Sequence, residues 1–198
     1  EFGVRGWLQA SDLKTGERRW RRHTIPAPDE PGGESWRDDH EAYKTGGGPT
    51  WITGSYDADL DLIYWGVGNP GPDWDREYRP GDNLYSNSMI AVDPDTGVIR
   101  FHFQYTPNDP FDYDGVNELV LVDETVAGSA RKMMLHADRN GFLYAIDRTN
   151  GKFIYGTPYV KRLNWTAGLD PTTGRPVDYD AEADVQHYAG IASGRDRK

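Results

Sequence analysis

The sequence predicts an all-β fold of many short strands, and three observations carry that expectation. Its 198 residues include 23 Gly and 13 Pro, which punctuate the chain with turns. They sit among 7 Trp, 12 Tyr and 6 Phe, residues that suit a pleated, half-buried surface. The third is periodicity: Ile99-Arg100-Phe101-His102-Phe103-Gln104-Tyr105 trades apolar for polar at every step, as a strand with one wet face demands.

In chain order, residues 4–9 form the first candidate strand, ending at the turn that starts with Ala10. Residues 62–67 form the second, which leaves through Gly68-Asn69-Pro70. Residues 88–92 and 99–105 flank the turn around Asp93, and 118–122 follows an acidic loop. Residues 132–137 and 142–146 flank Asp138-Arg139-Asn140-Gly141. Helical spacing is hard to find; only the acidic stretch 181–185 offers a turn or two.

An internal repeat underlies these strands. Ala10-Ser11-Asp12-Leu13-Lys14-Thr15-Gly16 leads to Trp20, Ala91-Val92-Asp93-Pro94-Asp95-Thr96-Gly97 to Phe101, and Ala145-Ile146-Asp147-Arg148-Thr149-Asn150-Gly151 to Tyr155. Each unit reads as a strand, then a hairpin turn in which Asp caps backbone N–H groups and Gly takes positive φ, then a strand whose aromatic packs between layers. Four-stranded units recurring in this way predict propeller blades, against the alternative of unrelated hairpins.

The formal charge of −10 excludes a general nucleic-acid binder, because phosphate contacts need a basic face. No stretch approaches the roughly 18 apolar residues of a membrane span, so none is expected in this segment. With no cysteine, disulfides, thiolate metal sites and cysteine nucleophiles are excluded. The chain begins on an ordered-looking pattern at Glu1 and ends in Ser193-Gly194-Arg195-Asp196-Arg197-Lys198. Both ends are expected to be cuts through a longer protein.

Three features point to chemistry. Gly46-Gly47-Gly48-Pro49-Thr50-Trp51 puts a nearly side-chain-free backbone before a large aromatic, which suits close approach of a planar ligand to Trp51 or, alternatively, a glycine turn beside a core Trp. Asn69 presents an amide oxygen at a strand end, where a hard cation can be coordinated; Asn-Pro is equally an ordinary turn starter. Asp112 and Asp114, in Asn108-Asp109-Pro110-Phe111-Asp112-Tyr113-Asp114-Gly115, would face one way in an extended segment and could share a cation; without one, mutual repulsion would leave one of them a candidate base. The bland reading is a solvated acidic loop with Asx-turns. His23, His40, His102, His136 and His187 lack metal-ligand spacing and read as surface or packing residues, and Asn164-Trp165-Thr166 reads as a chance sequon.

Taken with Glu1-Phe2-Gly3-Val4-Arg5-Gly6, Arg79-Pro80-Gly81-Asp82-Asn83, Thr106-Pro107 and Val116-Asn117-Glu118, these segments resemble, in order and up to about Val177, the pyrroloquinoline quinone (PQQ)-dependent alcohol dehydrogenases, the methanol and ethanol dehydrogenase family of quinoproteins. The resemblance implies a few consecutive blades of an eight-bladed β-propeller, with 1–198 a partial propeller domain. It implies that Glu1, Asn69, Asp112 and Asp114 hold a metal ion, and that Asp112 takes the proton of a primary alcohol. It also implies that Trp51 stacks under PQQ and that Arg139 bonds the quinone oxygens and stabilises the charge developing there.

Asp114 stands where an additional carboxylate marks lanthanide-using members of the family. A trivalent ion is better balanced by a third carboxylate, so a lanthanide is preferred over Ca2+. A periplasmic location, a cytochrome c electron acceptor and a homodimer are further implications. Asn108 stands where the family commonly has His and Phe111 where it commonly has Trp, so the substrate-side wall is expected to differ. Two competing readings are a non-catalytic interaction propeller, which needs none of the acidic constellation, and a glycoside hydrolase using Glu1 and Asp112, which leaves Asn69 and Arg139 unexplained.

Overall fold

The structure, a computed structural model, describes residues 3–126 and 128–179. Strands β1 (Trp7–Ser11) and β2 (Arg18–His23) form an antiparallel hairpin. Strands β3 (Ser55–Asp57), β4 (Leu62–Val67), β5 (Ser88–Val92) and β6 (Ile99–Gln104) make a four-stranded antiparallel sheet in sequence order. So do β7 (Val120–Val126), β8 (Ser129–Ala137), β9 (Phe142–Asp147) and β10 (Phe153–Pro158). A short pair, β11 (Gly168–Leu169) and β12 (Pro176–Val177), follows, and two 3-10 turns, Gly33–Ser35 and Ala42–Thr45, are the only helical elements among the described residues.

The repeat explains the hairpins. In each turn the Asp carboxylate accepts backbone N–H groups two or three residues on: Lys14 and Thr15 at Asp12, Asp95 and Thr96 at Asp93, Thr149 at Asp147. Gly16, Gly97 and Gly151 follow at φ 74, 71 and 76°, the conformation glycine adopts without penalty. Asp57 and Asp170 cap two further turns in the same way.

The turns also couple the blades. Trp20 of β2 lies over Gly97 of the next unit, so closely that a Cβ there would stand 2.5 Å from its ring, and its indole N–H donates to Pro94 O at 2.8 Å. Phe101 covers Gly151 likewise. In the third unit the expected aromatic, Tyr155, is not the one that packs. A bulge between Phe153 and Tyr155 leaves Tyr155 40% exposed, and Phe153 covers Gly174 instead.

Alternation on β5 shows how the layers are glued. Met89 and Ala91 enter a cluster with Tyr64, Phe103 and Tyr105, which meets Met134, Tyr144 and Ile146 of the following unit and Trp165 from the loop beyond it. Ile90 and Val92 point the other way, toward Leu8 and Trp20 of the first hairpin. Fully burying one such side chain contributes about 1.5–3 kcal/mol. The buried Arg148 ties the sheets at their rim, donating to Asp57 at 2.6 Å and Asp123 at 2.5 Å.

Expectation and structure differ at several edges. The first strand begins at Trp7 rather than residue 4, because Val4 and Gly6 bond instead to Gly47. The strand expected at 118–122 runs from Val120 to Val126. Strands β3, β11 and β12 are too short to show periodicity, and β2, Arg18-Arg19-Trp20-Arg21-Arg22-His23, is too cationic to read as apolar alternation. The stretch 181–185 lies outside the described residues.

Candidate active site

Four chain segments meet at the ends of β4, β6 and β8. The segment after β4 is held by main-chain bonds on two sides: Gly48 N donates to Asn69 O at 2.8 Å, Gly68 N to Pro49 O at 2.8 Å, and Asn87 N to Gly68 O at 3.0 Å. On the third side Gly115 N donates to Val67 O at 3.1 Å. Gly68 has to lack a side chain, since a Cβ would stand 2.8 Å from the Asp114 carboxylate. The glycines at 46–48 answer to the chain itself rather than to a ligand: side chains there would strike Trp36, Ile25 and the main chain of Asn69.

Asp112 and Asp114 do not lie on an extended segment, which corrects the expectation that their spacing alone aims both carboxylates one way. Both have positive φ, 59 and 54°, as does Asn108 at 48°. A buried acid imposes this shape: Asp109 accepts the N–H groups of Phe111 at 2.8 Å and Tyr113 at 2.7 Å, on either side of Asp112, and the Asn87 amide at 2.8 Å. Burial pushes the Asp109 carboxyl up to about 6 despite those donors.

Beneath it the wholly buried Arg79 donates to the carbonyls of Pro72, Asp73 and Asp109 and to the Asn83 amide oxygen, all at 2.7–2.9 Å. Burial draws its guanidinium down to about 10, still cationic at neutral pH. Arg79 therefore pins the loop after β4 to the loop carrying Asp112.

The Asp114 carboxylate is buried. One oxygen accepts Asn69 N–H at 3.1 Å and the other accepts Arg139 Nη1 at 2.5 Å. The Arg139 side chain is 47% exposed, yet its turn is anchored in the core. His136 pairs with Asp138 at 2.9 Å and stacks on Tyr105, Asp138 caps Asn140 N–H, and Asn140 bonds Tyr144 and Thr106. His136 and His102 are thus packing histidines, the latter set edge-on against Tyr85.

Asn69 is fully buried and spends its side-chain N–H groups on Pro70 O at 3.2 Å and Asp73 at 2.6 Å, while among the described residues its Oδ1 accepts no hydrogen bond. A buried amide oxygen without a donor is costly unless something else binds it. Trp51, at the end of the glycine loop, is 55% exposed. Glu1 lies outside the described residues, and among the described residues no three acidic or imidazole side chains form a metal-binding group.

The structure therefore brings Asn69, Asp114 and Arg139 into direct contact, and places Asp112 beside them in sequence. Asp73, Arg79 and Asp109 were not singled out from sequence. The run Arg79-Pro80-Gly81-Asp82-Asn83 was a visible signal, but its role as an internal clamp depends on contacts with segments distant in sequence.

Residues 2–161 match the family model described as glucose/ethanol/alcohol dehydrogenase, β-propeller domain. The chain belongs to this family of PQQ-dependent dehydrogenases. It is 44% identical over 197 residues to the quinoprotein alcohol dehydrogenase PedH of Pseudomonas putida, covering 91% of this chain and 32% of that protein. To the quinohemoprotein alcohol dehydrogenase of Comamonas testosteroni it is 41% identical over 197 residues, covering 93% of this chain and 27% of the relative.

Among solved structures, a europium-containing methanol dehydrogenase superposes with a TM-score of 0.83 at 41% identity, over 89% of this chain and 33% of that one. The quinohemoprotein enzyme of Comamonas testosteroni superposes with the same TM-score of 0.83 at 40% identity, over 89% of this chain and 28% of that one. The chain thus spans about a third of the length of the relatives it matches, and its two complete four-stranded sheets are blades of their propeller.

Proposed function

We propose that the complete protein oxidises a primary alcohol to the aldehyde with PQQ and a metal ion, and that this chain supplies one side of the site. The observation that carries the reading is the Asn69 amide oxygen, buried and without a donor among the described residues, on a residue whose main-chain N–H binds a carboxylate, Asp114, that is itself held by Arg139. With Asp112 and Asp114 it offers an oxygen-only donor set, which fits a hard cation; Glu1 would complete the set. The exposed Trp51 face fits a planar ring, and the half-exposed Arg139 fork fits a quinone oxygen.

When bound, PQQ supplies the hydride acceptor and the metal supplies a Lewis acid. The chain's own residues do the rest. Asp112 accepts the hydroxyl proton of the alcohol as the carbinol hydrogen leaves as hydride, so the substrate loses one proton and one hydride and becomes the aldehyde. Arg139, kept in place by Asp114, would present its guanidinium to the quinone oxygens, where negative charge is to be stabilised. Asn69 would contribute a neutral ligand, leaving the charge of the site to the carboxylates.

A lanthanide is preferred over Ca2+ because Asp114 adds a carboxylate, and the likeness to a europium-containing enzyme supports the same choice. A periplasmic location, a cytochrome c acceptor and a homodimer are proposed on the family resemblance alone. Among the described residues no helix is long and apolar enough to cross a membrane.

The test is dye-linked oxidation of methanol and ethanol by the complete protein, reconstituted with PQQ and either lanthanum or calcium. Activity with lanthanum alone is expected. Activity with calcium alone overturns the metal preference, and a folded protein inactive with both overturns the enzyme reading in favour of a non-catalytic propeller.

A further inference from the structure

We propose that Asp73 is a positioning residue that fixes which end of the Asn69 side-chain amide faces the cation site; the inference rests on the reading given under Proposed function. An amide has two chemically different ends of nearly equal shape, and its orientation follows from its partners. At Asn69 both partners on one side are pure acceptors, the Pro70 carbonyl at 3.2 Å and the Asp73 carboxylate at 2.6 Å. Only the NH2 end can face them. The oxygen is left turned away, buried and without a hydrogen-bond donor among the described residues.

Were the amide reversed, its oxygen would meet a carboxylate and a carbonyl at hydrogen-bond distance, and its NH2 would face any cation. Both arrangements are repulsive. The Pro70 carbonyl alone is a weak determinant at 3.2 Å, so the orientation depends chiefly on the short, charge-assisted bond to Asp73. Asp73 is itself held. Arg79, buried and cationic, donates to the Asp73 carbonyl at 2.7 Å and to the neighbouring Pro72 carbonyl at 2.7 Å, and the same guanidinium grips Asp109 O. The loop that aims Asn69 and the loop that carries Asp112 and Asp114 therefore share one anchor.

The experiment uses the complete protein as wild type, Asp73→Ala, Asp73→Asn and Asn69→Ala, titrated with terbium(III) and read by luminescence excited through the tryptophans, with calcium as competitor. Asp73→Ala is expected to weaken terbium binding about 10–100-fold, the usual effect of removing a group that orients a metal ligand. Asp73→Asn is expected to recover most of that loss, because its side-chain oxygen still accepts from Asn69. Metal-free Asp73→Asn, which keeps an acceptor for the Asn69 N–H, is expected to melt with the wild type.

Three results would overturn the inference. In one, Asp73→Ala binds terbium like the wild type while Asn69→Ala does not. In another, Asp73→Ala and Asp73→Asn lose affinity equally, which marks a missing charge rather than a missing acceptor. In the third, the metal-free Asp73→Asn protein is already destabilised, which marks a structural loop residue. A wild-type protein that fails to bind terbium or calcium at all overturns the metal site itself, and is distinct from these.

Discussion

Arg139 donates to the Asp114 carboxylate at 2.5 Å across 25 residues of sequence, joining an arginine that is 47% exposed to an acid that is almost wholly buried. A buried carboxylate is tolerated only when paired, so Asp114 depends on Arg139 and on Asn69 N–H, and the arginine takes its direction from Asp114. Asp114→Ala in the complete protein is therefore expected to lower lanthanum-supported alcohol oxidation by about 100-fold or more, exceeding the usual effect of losing an outer-shell group. Dye reduction at saturating PQQ measures it; an unchanged lanthanum response would remove the reason for preferring that metal.

Asp112 occupies a left-handed conformation, at φ 59°, between two backbone N–H groups fixed by Asp109. Its backbone is thus set by a rigid turn. Asp112→Asn keeps shape and removes basicity, so turnover is expected to fall about 10²–10⁴-fold, the range for a lost general base, with PQQ still bound. Single-turnover oxidation alongside the absorbance of bound PQQ separates this outcome from simple loss of folding.

Gly16 and Gly97 sit at the same place in the same turn, at φ 74 and 71°, but only Gly97 lies under an aromatic ring from the preceding unit. Alanine at either site meets the same backbone penalty. At Gly97 its Cβ would also stand 2.5 Å from Trp20, whereas none of the described residues lies within 4 Å at Gly16. Gly97→Ala is therefore expected to cost about 1–3 kcal/mol more than Gly16→Ala, the range for overpacking. Urea midpoints of the two variants test this, and equal costs would mean that the blades are not coupled through Trp20.

What could be read from sequence follows from the range of each interaction. The Asp-to-Gly turns are local, so Asp12, Asp93 and Asp147 were legible as caps and their glycines as left-handed positions. The central strands β4, β5 and β9 were legible because burial on both faces makes them strongly apolar. Edge strands such as β2 carry five charged or imidazole side chains in six positions and hide their pairing.

At the site, Asn69, Asp112, Asp114 and Arg139 stood out by motif, whereas the shape that unites them did not. Asp109 meets Asn87, and Arg79 meets Asp109, at separations of 22 and 30 residues. Spacing alone suggested an extended Asp112–Asp114 pair, and a buried acid two residues upstream of Phe111 overrode it.

Asp109 also makes a prediction about pH. Burial lifts its carboxyl from 3.8 to about 6 in the folded chain, so between those values the folded state holds a proton that the unfolded state has released. Stability therefore falls as pH rises through about 4 to 6, and the contribution levels off above the folded value. At 1.36 kcal/mol per pH unit of displacement the whole change amounts to about 3 kcal/mol.

Asp109→Asn cannot titrate. It also presents one oxygen where the two carboxyl oxygens serve three donors, Phe111 N, Tyr113 N and the Asn87 amide, so at pH 4 it is expected to be the less stable protein by about 1–3 kcal/mol. The gap between wild type and variant should then narrow as pH rises from 4 to 6.5, read from urea midpoints at several pH values. A gap that stays constant or widens would mean that the three donors hold Asp109 ionised throughout, outweighing burial. In that case the turn around Asp112 is organised by a full negative charge.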